Sequence, residues 1–258
     1  MLKIDAAAKT DIGRVRQENQ DSYGMDSELH LYVVGDGMGG AAGGSVASDL
    51  AVRTFLAIAR QEIEAAYNQG NSESAEVTRE SLRRAVAAAN RAVIERARWD
   101  TCYRGMGSTL VGARLTGTQM ILINVGDSRA YLVRDGETVQ LTDDHSFVAE
   151  SVRRGMMTVA EAGVSAMRSV ITRAIGVDSD VQPDLYETSV QVGDTVLLVS
   201  DGLTRHLSPG DLREVLDSVG DAEEACARLI EHANERGGSD NITCIVVRVG
   251  SVGLASSF

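Results

Sequence analysis

Cysteine and proline are scarce in this sequence, positive charge is outnumbered, and each shortage removes a class of answer. The three cysteines, Cys102, Cys226 and Cys244, are odd in number and far apart. With no CxxC pair, neither a zinc site nor a disulfide framework is indicated, and free thiols in a reducing compartment are expected. Only two prolines, Pro183 and Pro209, fall in 258 residues, and no Ser/Pro-rich linker divides them. A single domain over residues 1–258 is therefore expected. Twenty-five basic residues stand against 37 acidic ones, a net charge of −12. A surface of that sign repels nucleic acid and anionic lipid, so neither is expected as a partner. No apolar run approaches the roughly 20 residues of a membrane helix, and no basic-then-apolar leader opens the chain. We expect a cytoplasmic monomer.

Short β-type runs recur at residues 3–8, 30–34, 108–115, 120–125, 129–134, 195–200 and 242–249. Turn signals such as Thr116-Gly117-Thr118 and Asp135-Gly136 join several of them so tightly that the pairs must be antiparallel. Two long helical patterns lie between the second and third runs. The first starts near Gly44 and puts Val46, Leu50, Leu56 and Ile58 on its apolar side. The second places Leu82, Val86, Ala89 and Val93 on one stripe, after a polar loop at 69–74. A later pair covers 209–219 and 222–234, opened by Ser208 as cap and Pro209 at the first helical position. Grouped antiparallel strands with helices inserted in pairs predict an α+β fold, sheets covered by helices.

The acids fall in an unusual place. Leu31-Tyr-Val-Val-Gly-Asp36-Gly, Ile121-Leu-Ile-Asn-Val-Gly-Asp127-Ser and Val196-Leu-Leu-Val-Ser-Asp201-Gly each end an apolar strand on an aspartate. Gly237-Gly-Ser-Asp240-Asn-Ile inverts the order. Any one of these reads most simply as a turn former or helix cap. Four of them suggest strand ends converging on one spot, where carboxylates repel unless protonated or bridged by a cation. Oxygen-only ligands point to Mg²⁺ or Mn²⁺ rather than zinc. Bound cations would also reverse the local field of an acidic protein. Glycine beside Asp36 would let a backbone carbonyl turn toward the metal.

Gly35-Asp-Gly-Met-Gly-Gly40 also fits the G-x-G-x-x-G dinucleotide fingerprint. That reading fails because Asp36 would face the phosphates. It fails again because residues 53–60, where a second strand should end on an acid, read as helix.

In order along the chain, the motifs resemble those of the metal-dependent protein phosphatases of type 2C in their compact bacterial form. They are Gly13-Arg-Val-Arg-Gln-Glu-Asn-Gln-Asp21, Val34-Gly-Asp-Gly-Met-Gly-Gly40, Gly105-Met-Gly-Ser-Thr-Leu-Val111 and Asn124-Val-Gly-Asp-Ser-Arg-Ala-Tyr131. Leu141-Thr-Asp-Asp-His-Ser146, Ile171-Thr-Arg-Ala-Ile-Gly176, Leu198-Val-Ser-Asp-Gly-Leu203 and Ser239-Asp-Asn-Ile-Thr243 continue the series. The likeness spans about residues 7–249. It implies a four-layer α-β-β-α sandwich of two antiparallel sheets flanked by helical pairs. It also implies a serine/threonine phosphatase acting on phosphorylated proteins, opposing a partner serine/threonine kinase, with two or three Mn²⁺ or Mg²⁺ ions per chain.

The resemblance assigns roles position by position. Asp36 would bridge two metals, with the Gly37 carbonyl on one, and Asp201 and Asp240 would complete the pair. Asp127 would hold a third, looser ion alongside Asp201. Arg16 would clamp the phosphate, and Asp21 would hold metal-bound water from behind. Water shared by two cations roughly 3.5–4 Å apart would attack phosphorus in line. Some relatives carry a candidate general-acid histidine where this chain has Met38 or Ala41. His145 is the histidine left within a family motif, and a structural role is the simpler reading of it. Residues 144–168 correspond to the variable flap beside the active site. For Arg129 a local ion pair is the simpler reading.

Overall fold

The structure, a computed structural model, describes residues 2–70 and 74–251, with residues 41 and 42 described by their backbone alone. The expected polar loop at 69–74 thus lies partly outside the described residues, as does the side chain of Ala41. Two antiparallel sheets carry the fold. One orders β1 (Leu2–Asp11), β11 (Ile242–Ser251), β10 (Thr195–Val199), β7 (Arg129–Arg134) and β8 (Glu137–Gln140). The other orders β2 (Asp21–Asp26), β3 (Leu31–Met38), β5 (Leu110–Thr116), β6 (Gln119–Val125) and β9 (Asp184–Ser189), with the short β4 (Gly107–Ser108) paired to the end of β3. Asp135 and Gly136 both have positive φ, 50° and 78°, as a two-residue hairpin turn between β7 and β8 requires.

Residues on each central strand alternate between two apolar layers. Leu31 and Val33 of β3 pack with Phe55, Ile63, Leu82 and Val86 of the helices α1 (Gly40–Asn68) and α2 (Ala75–Trp99). Their neighbours Tyr32 and Val34 face the second sheet, against Leu198 and Ile245. Leu197, Val199 and Val246 pack outward on α6 (Pro209–Ser218) and α7 (Ala222–Glu235) through Leu212, Val215 and Leu229. Burial on both faces explains why these strands read as continuous apolar runs, since successive side chains point to opposite sides. The result is helix pair, sheet, sheet, helix pair.

Some expectations need correction. Helix α1 starts at Gly40, and its fully buried stripe is Ala47, Ala51, Phe55, Ala59 and Ile63. Val46, Leu50, Leu56 and Ile58 flank that stripe, half-buried. Alanine carries little apolar contrast, so the larger flanking residues look like the centre of the face. Strands β2, β8 and β9 and the short helices α3 (Phe147–Arg153), α4 (Val159–Val164) and α5 (Asp201–Thr204) add to the expected set. Ser208 caps α6 as read, its hydroxyl accepting from the Asp211 N–H while the Asp211 carboxylate accepts from the Ser208 N–H. Among the described residues no helix is long and apolar enough to cross a membrane.

Candidate active site

The end of β3, the turn between β6 and β7, the start of α5 and the loop before β11 meet at one edge of the sandwich. They bring Asp36, Asp127, Asp201 and Asp240 to the wall of one cleft of about 800 Å³, together with Gly37, Met38, Arg16 and Arg205. Asp21 does not line this cleft. It is buried next to the wall: β2 and β3 pair with Asp21 directly opposite Asp36, and opposed residues share a face of the ladder. Ser200 Oγ donates to Asp21 Oδ2 at 2.7 Å.

Burial pushes the Asp36 carboxyl well above the usual carboxylate range, and the nearby charges of Asp21, Asp201, Asp127 and Asp240 push it further. Asp21 and Asp127 are each raised to about 7, again by burial first and neighbouring acids second. Asp201 is raised for the same reason, although Arg205 opposes the shift. One buried oxygen on each of Asp21, Asp127 and Asp201 has no hydrogen-bond partner. Carboxylates that are crowded, buried and incompletely bonded fit a hard divalent cation, which needs such oxygens.

As they stand, no three acidic, histidine or cysteine side chains among the described residues are grouped closely enough to hold one ion. Two arginines lie among them. Arg16 reaches in from the loop between β1 and β2 and grips both oxygens of Asp240, Nε to Oδ1 and Nη2 to Oδ2, each at 2.7 Å. Arg205, one turn beyond Asp201, ion-pairs with Asp201 and contacts Asp240 Oδ2 at 3.2 Å. Guanidinium groups thus supply the counter-charge on this side of the cluster.

The supporting groups come from polar residues to which the sequence attaches no role. The Asp36 N–H donates to Thr109 Oγ1 at 2.9 Å, and Thr109 Oγ1 meets Ser128 Oγ at 2.7 Å. One hydroxyl therefore ties the Asp36 strand end to the Asp127 turn. Asn241 binds the Arg16 loop to the sheet: its Oδ1 accepts from the Gln20 N–H at 2.8 Å, and its Nδ2 donates to the Ile12 and Glu18 carbonyls. Gly37 is required by packing, since a Cβ there would lie 2.0 Å from the Gly44 carbonyl oxygen.

His145 is buried away from the cleft. Its Nδ1 accepts from the Gly126 N–H at 3.1 Å, and its Nε2 lies 3.1 Å from Asp184 Oδ2. Through the first of these contacts it holds the backbone before Asp127. Arg129 pairs with Asp144 at 2.6 Å rather than with its sequence neighbour Asp127. The flap carries α3 and α4, and the segment that leaves it puts Ser169 and Ile171 on the cleft wall.

A family model described as Protein phosphatase 2C matches residues 13–246. The chain is 36% identical over 247 residues to the serine/threonine phosphatase stp of Listeria monocytogenes, covering 95% of each. It is 35% identical to the solved serine/threonine phosphatase PstP/Ppp of Mycobacterium tuberculosis, with a TM-score of 0.83 over 96% of this chain and 99% of that one. The catalytic domain of PstP in complex with two manganese ions superposes with a TM-score of 0.84 at 34% identity, covering 97% and 100% of the two chains.

Proposed function

The chain belongs to the protein phosphatase 2C family, and from that premise we propose that it hydrolyses phosphoserine and phosphothreonine in proteins with the help of Mn²⁺ or Mg²⁺. The observation that carries this reading is the convergence of Asp36, Asp127, Asp201 and Asp240 on one cleft beside Arg16. The manganese-bound relative supports it. Asp36, the Gly37 carbonyl, Asp201 and Asp240 would hold two ions, and Asp127 with Asp201 a third. When bound, the cations supply positive charge to the cleft and lower the pKa of water for attack on phosphorus.

The protein's own part is positioning and charge. The planar fork of Arg16 suits the equatorial oxygens of a phosphoryl group, once it turns from Asp240. Asp21, fixed by Ser200 and opposite Asp36, would orient water from behind. The cleft wall carries Met38 and no histidine among the described residues, so we assign protonation of the leaving oxygen to water. Free Cys102, Cys226 and Cys244 suit the proposed cytoplasmic setting, where a monomer of one domain would reverse a serine/threonine kinase.

Hydrolysis of a phosphothreonine peptide, with Mn²⁺ and then with EDTA, tests the reading. Activity should vanish with EDTA and return with Mn²⁺. Asp36→Asn should lose nearly all turnover while its circular dichroism stays native. An Asp36→Asn variant that still turns over would overturn the metal model.

A further inference from the structure

Arg205 has no part in the proposed chemistry, yet it bridges two acids of the cluster. It pairs with Asp201 and lies 3.2 Å from Asp240 Oδ2. Its remaining polar neighbour is Ser169 Oγ at 3.5 Å, too far for a good hydrogen bond. Its side chain is 31% exposed, so the charge is only partly screened by water. We propose that Arg205 is a built-in competitor of the divalent metal, a resident cation on Asp201 and Asp240 that weakens metal binding in this chain. The proposal rests on the metal-dependent reading and deepens it by naming what regulates occupancy.

Two effects of Arg205 must be weighed. It could pre-position Asp201 and Asp240, which would strengthen metal binding. It also places a positive charge on the same oxygens a cation needs, which must weaken it. The backbone decides between them. Ser200 N–H donates to the Thr243 carbonyl and Thr243 N–H to Ser200 Oγ, both at 3.0 Å, locking the end of β10 to β11. Gly202 is packed so tightly on Asn241 that a Cβ would lie 2.0 Å from its carbonyl oxygen. These contacts already fix where Asp201 and Asp240 start, so Arg205 is not needed to place them. Its remaining effect is electrostatic. Asp201 Oδ1 is buried and unbonded while Oδ2 holds Arg205, so an ion on Oδ1 would lie within one carboxylate of the guanidinium. A like charge at that range costs a dication about tenfold or more in affinity, even with substantial screening.

The test is Mn²⁺ binding by calorimetry on the full chain, without substrate. Arg205→Gln should bind Mn²⁺ about tenfold more tightly than wild type. Its melting temperature in EDTA should be lower, because the acids lose a counter-charge. Arg205→Lys, which keeps the charge, should stay within about threefold of wild type, and a second neutral variant, Arg205→Met, carries the comparison if the glutamine variant does not fold. Equal or weaker Mn²⁺ binding by the neutral variant overturns the proposal while leaving the metal reading intact. No Mn²⁺ binding by any of these proteins overturns both.

Discussion

Thr109 shows how much of the site depends on one small side chain. It is buried, and its hydroxyl accepts the Asp36 N–H while meeting Ser128, and its own N–H donates to the Asp36 carbonyl at 2.8 Å. Its methyl fills the space beside Gly126, where a Cβ would lie 2.6 Å from Thr109 Cγ2. Thr109→Val keeps the shape but leaves a buried N–H and the Ser128 hydroxyl short of a partner. That should cost about 1–3 kcal/mol, read as a lower urea midpoint at unchanged slope. Thr109→Ser, which keeps the hydroxyl, should lose less. Such a residue is not legible in sequence, because its partners are set by the pairing of distant strands. The four strand-end acids are legible, since each follows an apolar run. Arg205 stands between: its spacing of four from Asp201 is visible, but its contact with Asp240 depends on how α5 meets the β11 loop.

Elements repeat this division. The central strands could be read because burial on both faces writes them as apolar runs. Strand β2 could not, since Asp21-Ser-Tyr-Gly-Met-Asp26 lies at a sheet edge with a mixed pattern and contributes register rather than apolar bulk. Strands β8 and β9 also lie at edges. The α3 and α4 turns of the flap bury almost no apolar side chain, so no hydrophobic period marks them. The single-turn α5 is too short to show a period, yet it decides the distance between Asp201 and Asp240. Gly202→Ala would drive a Cβ into the Asn241 carbonyl and push α5 away from the β11 loop. We expect a loss of about 1–3 kcal/mol in stability and weaker Mn²⁺ binding, by thermal melts in EDTA and by calorimetry. A variant with wild-type values in both would show that this packing does not fix the acid pair.

At the scale of the whole molecule, an acidic protein concentrates buried acids at the cleft where it must receive an anion. Without a cation this arrangement opposes folding, and the opposition depends on pH. Burial pushes Asp21 and Asp127 up to about 7 in the folded protein, from an ordinary value near 3.8. A carboxyl whose folded pKa is raised binds its proton more tightly in the native state. Its contribution is complete below about pH 4 and is lost as pH rises through about 7. Acids that hydrogen bonds hold low, such as Asp211 and Glu161, change stability only below the ordinary carboxylate range and stay outside that window. His145, which burial lowers, works in the opposite direction below its ordinary 6.5, but it is common to both arms of the comparison. In EDTA the melting temperature should therefore fall between pH 5 and pH 8 relative to the same series in saturating Mn²⁺. The rise in melting temperature given by Mn²⁺ should grow with pH, because an ion held by the proposed carboxyl ligands would have to displace their protons at low pH. A Mn²⁺-induced rise that is the same at pH 5 and pH 8 would mean that these acids neither compete for protons nor hold the ion.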